Sequence, residues 1–153
     1  MSNKPLNFTK MSAILGNKNR FYVKIGSATE YTWLTGEQSN SVNRTQEAIE
    51  VSDKSTDWAQ FIGGKKGATI EATIFADNSD SAQQEVLKGL YNGQKINFFV
   101  GQLSTATTPA PSDGEVGVAV VTAISDTNDF GAVSTRNVSL TVDGALTHYP
   151  SLT

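Results

Sequence analysis

The sequence contains no cysteine and only one histidine among its 153 residues. Without cysteine the chain can form no disulfide, no thiolate nucleophile and no cysteine-ligated metal site. The single histidine, His148, has no acid or serine constellation tied to it, so histidine-based catalysis has no basis. Among the carboxylates, Glu47 and Glu50 would lie on opposite faces of an extended strand, which disfavours a shared acid/base site. We expect no enzyme, no cofactor and no metal.

Charge and long apolar runs are also scarce. Twelve basic residues are scattered among fifteen acidic ones, which gives a net charge of -3, whereas a nucleic-acid binder normally shows a basic face. The N-terminal run "MSAIL" is too short for a signal-peptide core, and nothing approaches a membrane span. We therefore expect no tight nucleic-acid binding, no membrane partner and a protein made in the cytoplasm.

Alternating apolar and polar residues dominate the remainder of the chain and predict antiparallel strands. The clearest example is "ATIEATIFA" over residues 68–76, with Ile70, Ala72 and Ile74 facing inward. The other predicted strands are "RFYVKIGS" (20–27), "YTWL" (31–34), "KINFFVG" (95–101), "EVGVAVVTAIS" (115–125) and "AVSTRNVSLTVDG" (132–144). A Pro/Ser/Thr-rich loop, "QLSTATTPAPSDG", is predicted between the strands that begin at residues 95 and 115.

One segment changes to a helical period. Residues 81–91 place Ala82, Val86 and Leu90 on one face together with Leu87 and Tyr91, Ser81 and Gln84 form a capping box, and Asn92-Gly93 ends the helix. The sequence therefore predicts a mainly β fold: an antiparallel β-sandwich or partly rolled barrel with one packed α-helix.

Two short motifs resemble ligand sites but depart from them. "GGKKGAT" (63–69) lacks the order of a phosphate loop and leads into a strand, so it reads as a turn with a basic edge. "DTNDFGAVSTRN" (126–137) starts like a calcium loop, but Phe130 and Asn137 stand where oxygen ligands belong. A hairpin loop joining two strands is the better interpretation.

Two features do not fit an ordinary monomer. Residues 37–47 are compatible with a strand but almost lack an apolar stripe, although one face of a strand normally needs a core. Trp58 lies in the polar segment "EVSDKSTDWAQFIGG" (50–64), where it could cover the edge of its own core or dock into a neighbour.

The pattern from "FYVKIGS" through "YTWLTGEQSNSVNRTQEAIEVSDKSTDWAQFIGGKKGATIEATIFADNSD" to "LKGLYNGQKINFF" resembles the major tail proteins of long-tailed, non-contractile bacteriophages. The resemblance covers about residues 20–143 and implies a tail-tube fold similar to type VI secretion tube proteins. It implies rings, typically of six copies, that stack into a tube around a tape-measure protein and later let double-stranded DNA pass. Tail-tip and tail-terminator proteins are the implied end partners, and the virion tail, assembled in the bacterial cytoplasm, is the implied location.

Within this resemblance we expect an N-terminal arm (1–19), a tail-tube domain (20–144) and a C-terminal tail (145–153). An aqueous channel needs about 16 strands or more, so several copies must pool their strands, which also satisfies exposed sheet edges. The expected lumen-lining residues are Ser39, Ser41, Asn43, Glu71, Asn137, Ser139 and Thr141. The expected contacts between subunits or rings are Asp53, Lys54, Trp58 and Phe61, on an excursion over residues 36–64 that becomes ordered on assembly.

Two alternatives remain open at this point. One is the tube of a secretion or contractile injection machine, which shares the ring chemistry. The other is a carbohydrate-binding β-sandwich that would use Tyr31, Trp33 and Trp58 as a sugar-stacking platform.

Overall fold

A computed structural model of the protein describes residues 13–152. The first twelve residues of the predicted N-terminal arm therefore lie outside the described range. The elements in chain order are a short 3-10 helix (Gly16–Lys18), β1 (Arg20–Val23), β2 (Thr32–Trp33), β3 (Glu37–Glu50), β4 (Phe61–Phe75), α1 (Ser81–Tyr91), β5 (Lys95–Leu103), β6 (Pro111–Thr127) and β7 (Thr135–Tyr149).

All seven strands belong to one antiparallel sheet with the order β2-β1-β5-β6-β7-β4-β3. The prediction of a mainly β, antiparallel fold with one helix is confirmed. The sheet is rolled but not closed, because β3 at one edge contacts β1 and β2 at the other edge through a side chain and not through backbone pairing of strands. Glu37 at the start of β3 accepts hydrogen bonds from the Phe21 backbone N–H and from Trp33 Nε1, both at 2.9 Å.

The core fills the inner face of the rolled sheet. Ile70, Ala72 and Ile74 of β4 are buried there, as their alternation predicts. The rings of Phe21 and Phe98 stack nearby with centroids 6.2 Å apart. Helix α1 covers this face and buries Ala82 and Val86 against it.

The ends and the buried face of α1 differ in part from the prediction. Asp80, not Ser81, is the N-cap, and its carboxylate accepts a hydrogen bond from the Gln83 N–H. Tyr91 is 80% exposed rather than on the packed face. Gln83 is buried instead, because the structure satisfies its whole amide: Nε2 donates to the carbonyls of residues 35 and 75, and Oε1 accepts from the residue 77 N–H.

Several strands are longer than their apolar patterns indicate. β7 continues past the predicted end at residue 144 to Tyr149, which pairs with Gly114 of β6. β5 and β6 also extend towards each other, so the loop predicted over residues 102–114 shrinks to residues 104–110. Ladder hydrogen bonds to a neighbouring strand sustain these polar extensions, and that pairing has no signal in the local sequence.

A buried arginine ties together the end of the sheet where β6 passes into β7. Arg136 donates from Nε and one Nη to the two oxygens of Asp126, at 2.8 and 3.2 Å. Its guanidinium also donates to Gln83 Oε1 at 3.2 Å and to Asn78 Oδ1 at 3.0 Å. The hydrogen bonding from Arg136 to Asp126 and the positive charge of the guanidinium lower the pKa of the Asp126 carboxyl. One side chain thus fixes the strand ends, the helix start and the loop before it.

We expect Asp126→Asn to lower the free energy of unfolding by about 1.5 kcal/mol near neutral pH, because the buried Arg136 guanidinium loses part of its pairing, while the 40% exposed Asp126 side chain is partly screened by solvent. The folded-state pKa of Asp126 lies below its unfolded value of about 3.9. Its contribution is therefore present above that value and is lost as the pH falls through the folded-state pKa. Urea unfolding should show a difference between wild type and variant that is constant over about pH 5 to 7 and shrinks below about pH 4.

Asp143→Asn is the matched control for this prediction. Asp143 pairs with Lys95 at 2.7 Å, but both side chains are about half exposed. Its loss should cost less than about 1 kcal/mol. Equal effects of the two substitutions would contradict the structural role of the buried network.

Candidate functional site: a polar sheet face and a hairpin arm

The outer face of β3, β4 and β7 carries short polar side chains in three rows that run across the strands. We call this surface the polar face. The rows are Ser39–Thr73–Asn137, Ser41–Glu71–Ser139 and Asn43–Thr69–Thr141. On β4 and β7 the neighbours of these residues along the strand are buried or partly buried, and on β3 Val42 packs against the core, because side chains alternate between the two faces. All seven residues predicted to line a lumen therefore lie together on one surface.

The chemistry of the polar face is uniform. Hydroxyls and amides fill eight of the nine positions, and Glu71 in the middle row is the single ionisable side chain. Thr73 Oγ1 donates to Asn137 Oδ1 at 2.9 Å, so neighbouring strands also bond through their side chains. Without a lysine or arginine among the nine, this surface offers phosphate groups no cationic partner.

Beyond the polar face, β3 and β4 continue as a pair without a third strand. The β4–β7 ladder ends at Thr69, whereas the β3–β4 ladder runs on to Glu50 and Phe61. We call residues 45–67 the hairpin arm. A bulge lies between Gln46 and Ala48, where the Gln46 side chain covers Gly63 so closely that a Cβ there would sit 1.9 Å from Nε2. The expected excursion over residues 36–64 is thus largely regular β-structure, and only its end forms a turn.

The turn at the end of the arm is held by its own side chains. Asp53 Oδ1 accepts hydrogen bonds from both the N–H and the hydroxyl of Ser55, and these bonds lower the pKa of the Asp53 carboxyl. Ser52 Oγ accepts from the Gln60 N–H at 2.6 Å. Asp53 therefore shapes the turn, and Lys54 projects from it.

Large apolar side chains are exposed on both faces of the arm. Trp58 is 87% exposed, so it does not cover the core of its own chain. Ile49 and Ile62 are cross-strand partners on one face, and Phe61, one residue along, lies on the other. Several large apolar side chains are thus exposed on one short arm, and exposed apolar surface of this kind can mark a site of protein interaction.

The other predicted aromatic residues are engaged elsewhere. Trp33 donates to Glu37 at the start of β3 and carries the Arg20 guanidinium 4.5 Å from its ring centroid. Tyr31 packs on Phe99, with ring centroids 5.7 Å apart. Trp58 follows the opposite end of β3, so the structure does not bring these aromatic residues together as one sugar-stacking platform.

An ion pair at the base of the arm has no signal in the sequence. Arg44 of β3 donates from Nε to Oε1 of Glu115 on β6, across the concave side of the sheet. Glu115 is 6% exposed, and within residues 13–152 no donor reaches its Oε2. This pair holds the middle of the long edge strand over the rolled sheet, and local patterning cannot reveal a contact across three strands.

Other kinds of site find no support in the part of the chain that the structure describes. No helix there is long and apolar enough to cross a membrane. No group of three or more His, Asp or Glu side chains in that part could hold a metal ion. The segment 126–137 contains the end of β6, a turn over residues 128–134 and the start of β7, in agreement with its interpretation as a hairpin loop joining two strands.

Residues 13–152 thus form an open antiparallel sheet with a polar outer face and an exposed hairpin arm. A family model described as phage tail tube protein matches residues 15–148, and the chain belongs to that family. No curated protein sequence matches it.

Solved structures share the fold at low sequence identity. A chain from the tail of an empty gene transfer agent particle with C6 symmetry is 15% identical, has a TM-score of 0.74, and is matched over 98% of its length and 89% of this chain. A chain of the SPP1 tail tube is 16% identical, has a TM-score of 0.72, and is matched over 81% of its length and 92% of this chain. A chain from the six-fold symmetrised baseplate of the anti-feeding prophage is 9% identical, has a TM-score of 0.66, and is matched over 99% of its length and 93% of this chain.

We expect the arm to open far more often than the rest of the sheet before assembly, because a two-stranded ribbon is marginally stable in water. Amide hydrogen exchange of the unassembled protein should be fast over residues 61–66 of β4. It should be slow over residues 70–74 of the same strand, which has neighbours on both sides. Equal protection along β4 would show that the arm is as rigid as the body.

Proposed function

We propose that this chain assembles into six-membered rings, and that the rings stack into the tube of a phage tail through which double-stranded DNA passes. The observation that carries the proposal is the polar face, which gathers all predicted lumen residues on one solvent-exposed surface. Membership of the tail tube family and the C6 symmetry of a structure with the same fold support it.

Ring formation follows from the open sheet. β3 is the last strand of the sheet, and its outer backbone groups, over 14 residues, have no strand partner in the described part of the chain. Such an edge is an aggregation hazard unless another chain covers it. Joining copies edge to edge in a closed ring covers each edge once and supplies the number of strands that a water-filled channel requires.

The polar face then lines the channel. Hydroxyls and amides are neutral toward phosphate, and the Glu71 carboxylates, one from each copy, repel it. DNA would therefore pass without being held, and before ejection the same surface would enclose a tape-measure protein. Tail-tip and tail-terminator proteins would close the two ends of the tube, which would be built in the bacterial cytoplasm and carried in the virion.

In this proposal the hairpin arm makes the contacts that stack one ring on the next. Trp58 and Phe61 would become buried in the adjacent ring, while Asp53 maintains the turn that presents Trp58 and Lys54 adds a peripheral charge. Burial of large aromatic side chains is the main source of affinity in protein contacts.

A second candidate is the tube of a contractile injection particle, supported by the shared fold with the anti-feeding prophage chain. A bare tail without a sheath around the native tube would favour the non-contractile alternative. A sheathed particle would favour this second candidate.

We expect purified wild-type protein to form rings and then hollow tubes of uniform width as its concentration rises. Trp58→Ala should still form rings but should raise the concentration needed for tubes at least about tenfold, because a buried aromatic anchor is removed. Negative-stain electron microscopy and size-exclusion chromatography would measure both effects.

Tyr91→Ala is the control for this experiment, since Tyr91 is an equally exposed aromatic on the helix. It should leave tube formation unchanged. A wild-type protein that stays monomeric at every concentration would contradict the ring proposal, and unchanged tubes of Trp58→Ala would contradict the role of the arm.

The lumen assignment predicts that a cysteine at Ser139 loses access to large reagents on assembly. The chain has no other cysteine, so the label reports one position. Ser139→Cys should react with a bulky maleimide-polymer conjugate as unassembled protein but not inside long tubes, whereas Glu85→Cys on the helix should react in both states. Full reaction of the Ser139 position in intact tubes would place the polar face outside.

A further inference from the structure

We propose that the hairpin arm docks on the β6–β7 turn of a copy in the adjacent ring, with Phe130 as its receiving anchor. We call residues 128–134 the receiving turn. The inference rests on the proposed stacking of rings and adds the surface to which the arm binds. Three features of the described residues carry it: position, exposure and the order of the receiving turn.

The arm and the receiving turn lie at opposite ends of one sheet. Strand β4 starts at the arm with Phe61 and ends at Phe75, which pairs with Thr135 at the end of the receiving turn. Fourteen residue steps along a strand span on the order of 45 Å. The two surfaces therefore cannot meet within one chain, but they face each other when identical copies stack head to tail.

The receiving turn presents apolar surface that its own chain does not use. Phe130 is fully exposed and Val133 is largely exposed, although both belong to an ordered turn. Gly131, with φ of 78°, permits the tight reversal beside Phe130. No side chain among residues 13–152 covers the Phe130 ring, so it is available to a partner.

The receiving turn is also held in place by hydrogen bonds, whereas the two strands of the arm lack a third strand. The Ala76 N–H donates to the Ser134 carbonyl at 2.9 Å, and the Ala132 N–H donates to the Asp129 carbonyl at 3.2 Å. The buried Arg136 fixes the strand end on either side through Asp126. A rigid receptor for a more pliable arm lowers the entropy lost on docking, because only one partner has to be ordered.

Docking one surface on a different surface is a heterologous contact, which repeats without limit and builds a stack. Contact between two arms would instead be symmetric and would stop at two rings. The arrangement proposed here is therefore the one that gives an open-ended tube.

Cysteine cross-linking tests the contact directly, because the chain contains no cysteine of its own. Both positions are exposed, so a Trp58→Cys/Phe130→Cys double variant should fold normally, which circular dichroism would verify. The variant lacks two aromatic side chains of the proposed contact, so it is assembled at a higher protein concentration than wild type. Treatment of the assembled protein with a short bismaleimide should then give a ladder of dimers, trimers and longer covalent chains on a denaturing gel. A mixture of the two single variants should give dimers only.

The control is a Trp58→Cys/Tyr91→Cys double variant, which moves the second cysteine from the receiving turn to the helix and should give no ladder. Covalent dimers from Trp58→Cys alone would show arm-to-arm contact and overturn the inference. Tubes of the Trp58→Cys/Phe130→Cys variant that yield no ladder would also overturn it but leave the proposed tube intact. Failure of wild type and variants alike to form rings or tubes would overturn the proposed function and this inference together.

Discussion

A single short helix can cover only part of one face of a large sheet, and the architecture of this protein follows from that constraint. Helix α1 has 11 residues and is about 16 Å long, whereas β6 alone has 17 residues and extends about 55 Å. The sheet therefore rolls to bury the remainder of its inner face on itself, and its outer face stays in water. The polar face is the outer side of this arrangement, and the core residues of β4 and β7 are its inner side.

Partly buried polar contacts between distant strands limit how far the sheet rolls. Glu37 joins the start of β3 to β1 and β2, and Arg44 with Glu115 joins the middle of the same strand to β6. Apolar packing has no direction and would accept a range of curvatures, while these hydrogen bonds have fixed partners and distances. They hold the long edge strand in place without closing the barrel, so its outer edge stays available to another copy.

The arm and the receiving turn are the parts of the chain that remain available for contacts between rings. Each exposes aromatic surface that its own chain cannot cover, one at either end of the sheet. A single copy leaves one sheet edge unpaired and a different aromatic surface exposed at each end of the sheet. Edge-to-edge and end-to-end contacts between copies would cover the edge and both aromatic surfaces, which is the arrangement proposed for the tube.

The sequence by itself determined the antiparallel β class, the helix over residues 81–91, the inward face of β4 and the polar sets on β3 and β7, because each depends on local period or composition. It also pointed to Trp58, but left open whether this side chain covers the edge of its own core or docks into a neighbour. Only the tertiary structure decided that those polar sets share one surface, that β3 and β4 extend beyond their neighbours, and that Gln83, Arg136 and Glu115 are buried. These features depend on strand register and on contacts between residues up to 71 positions apart, and the alternation within one strand carries no information about either.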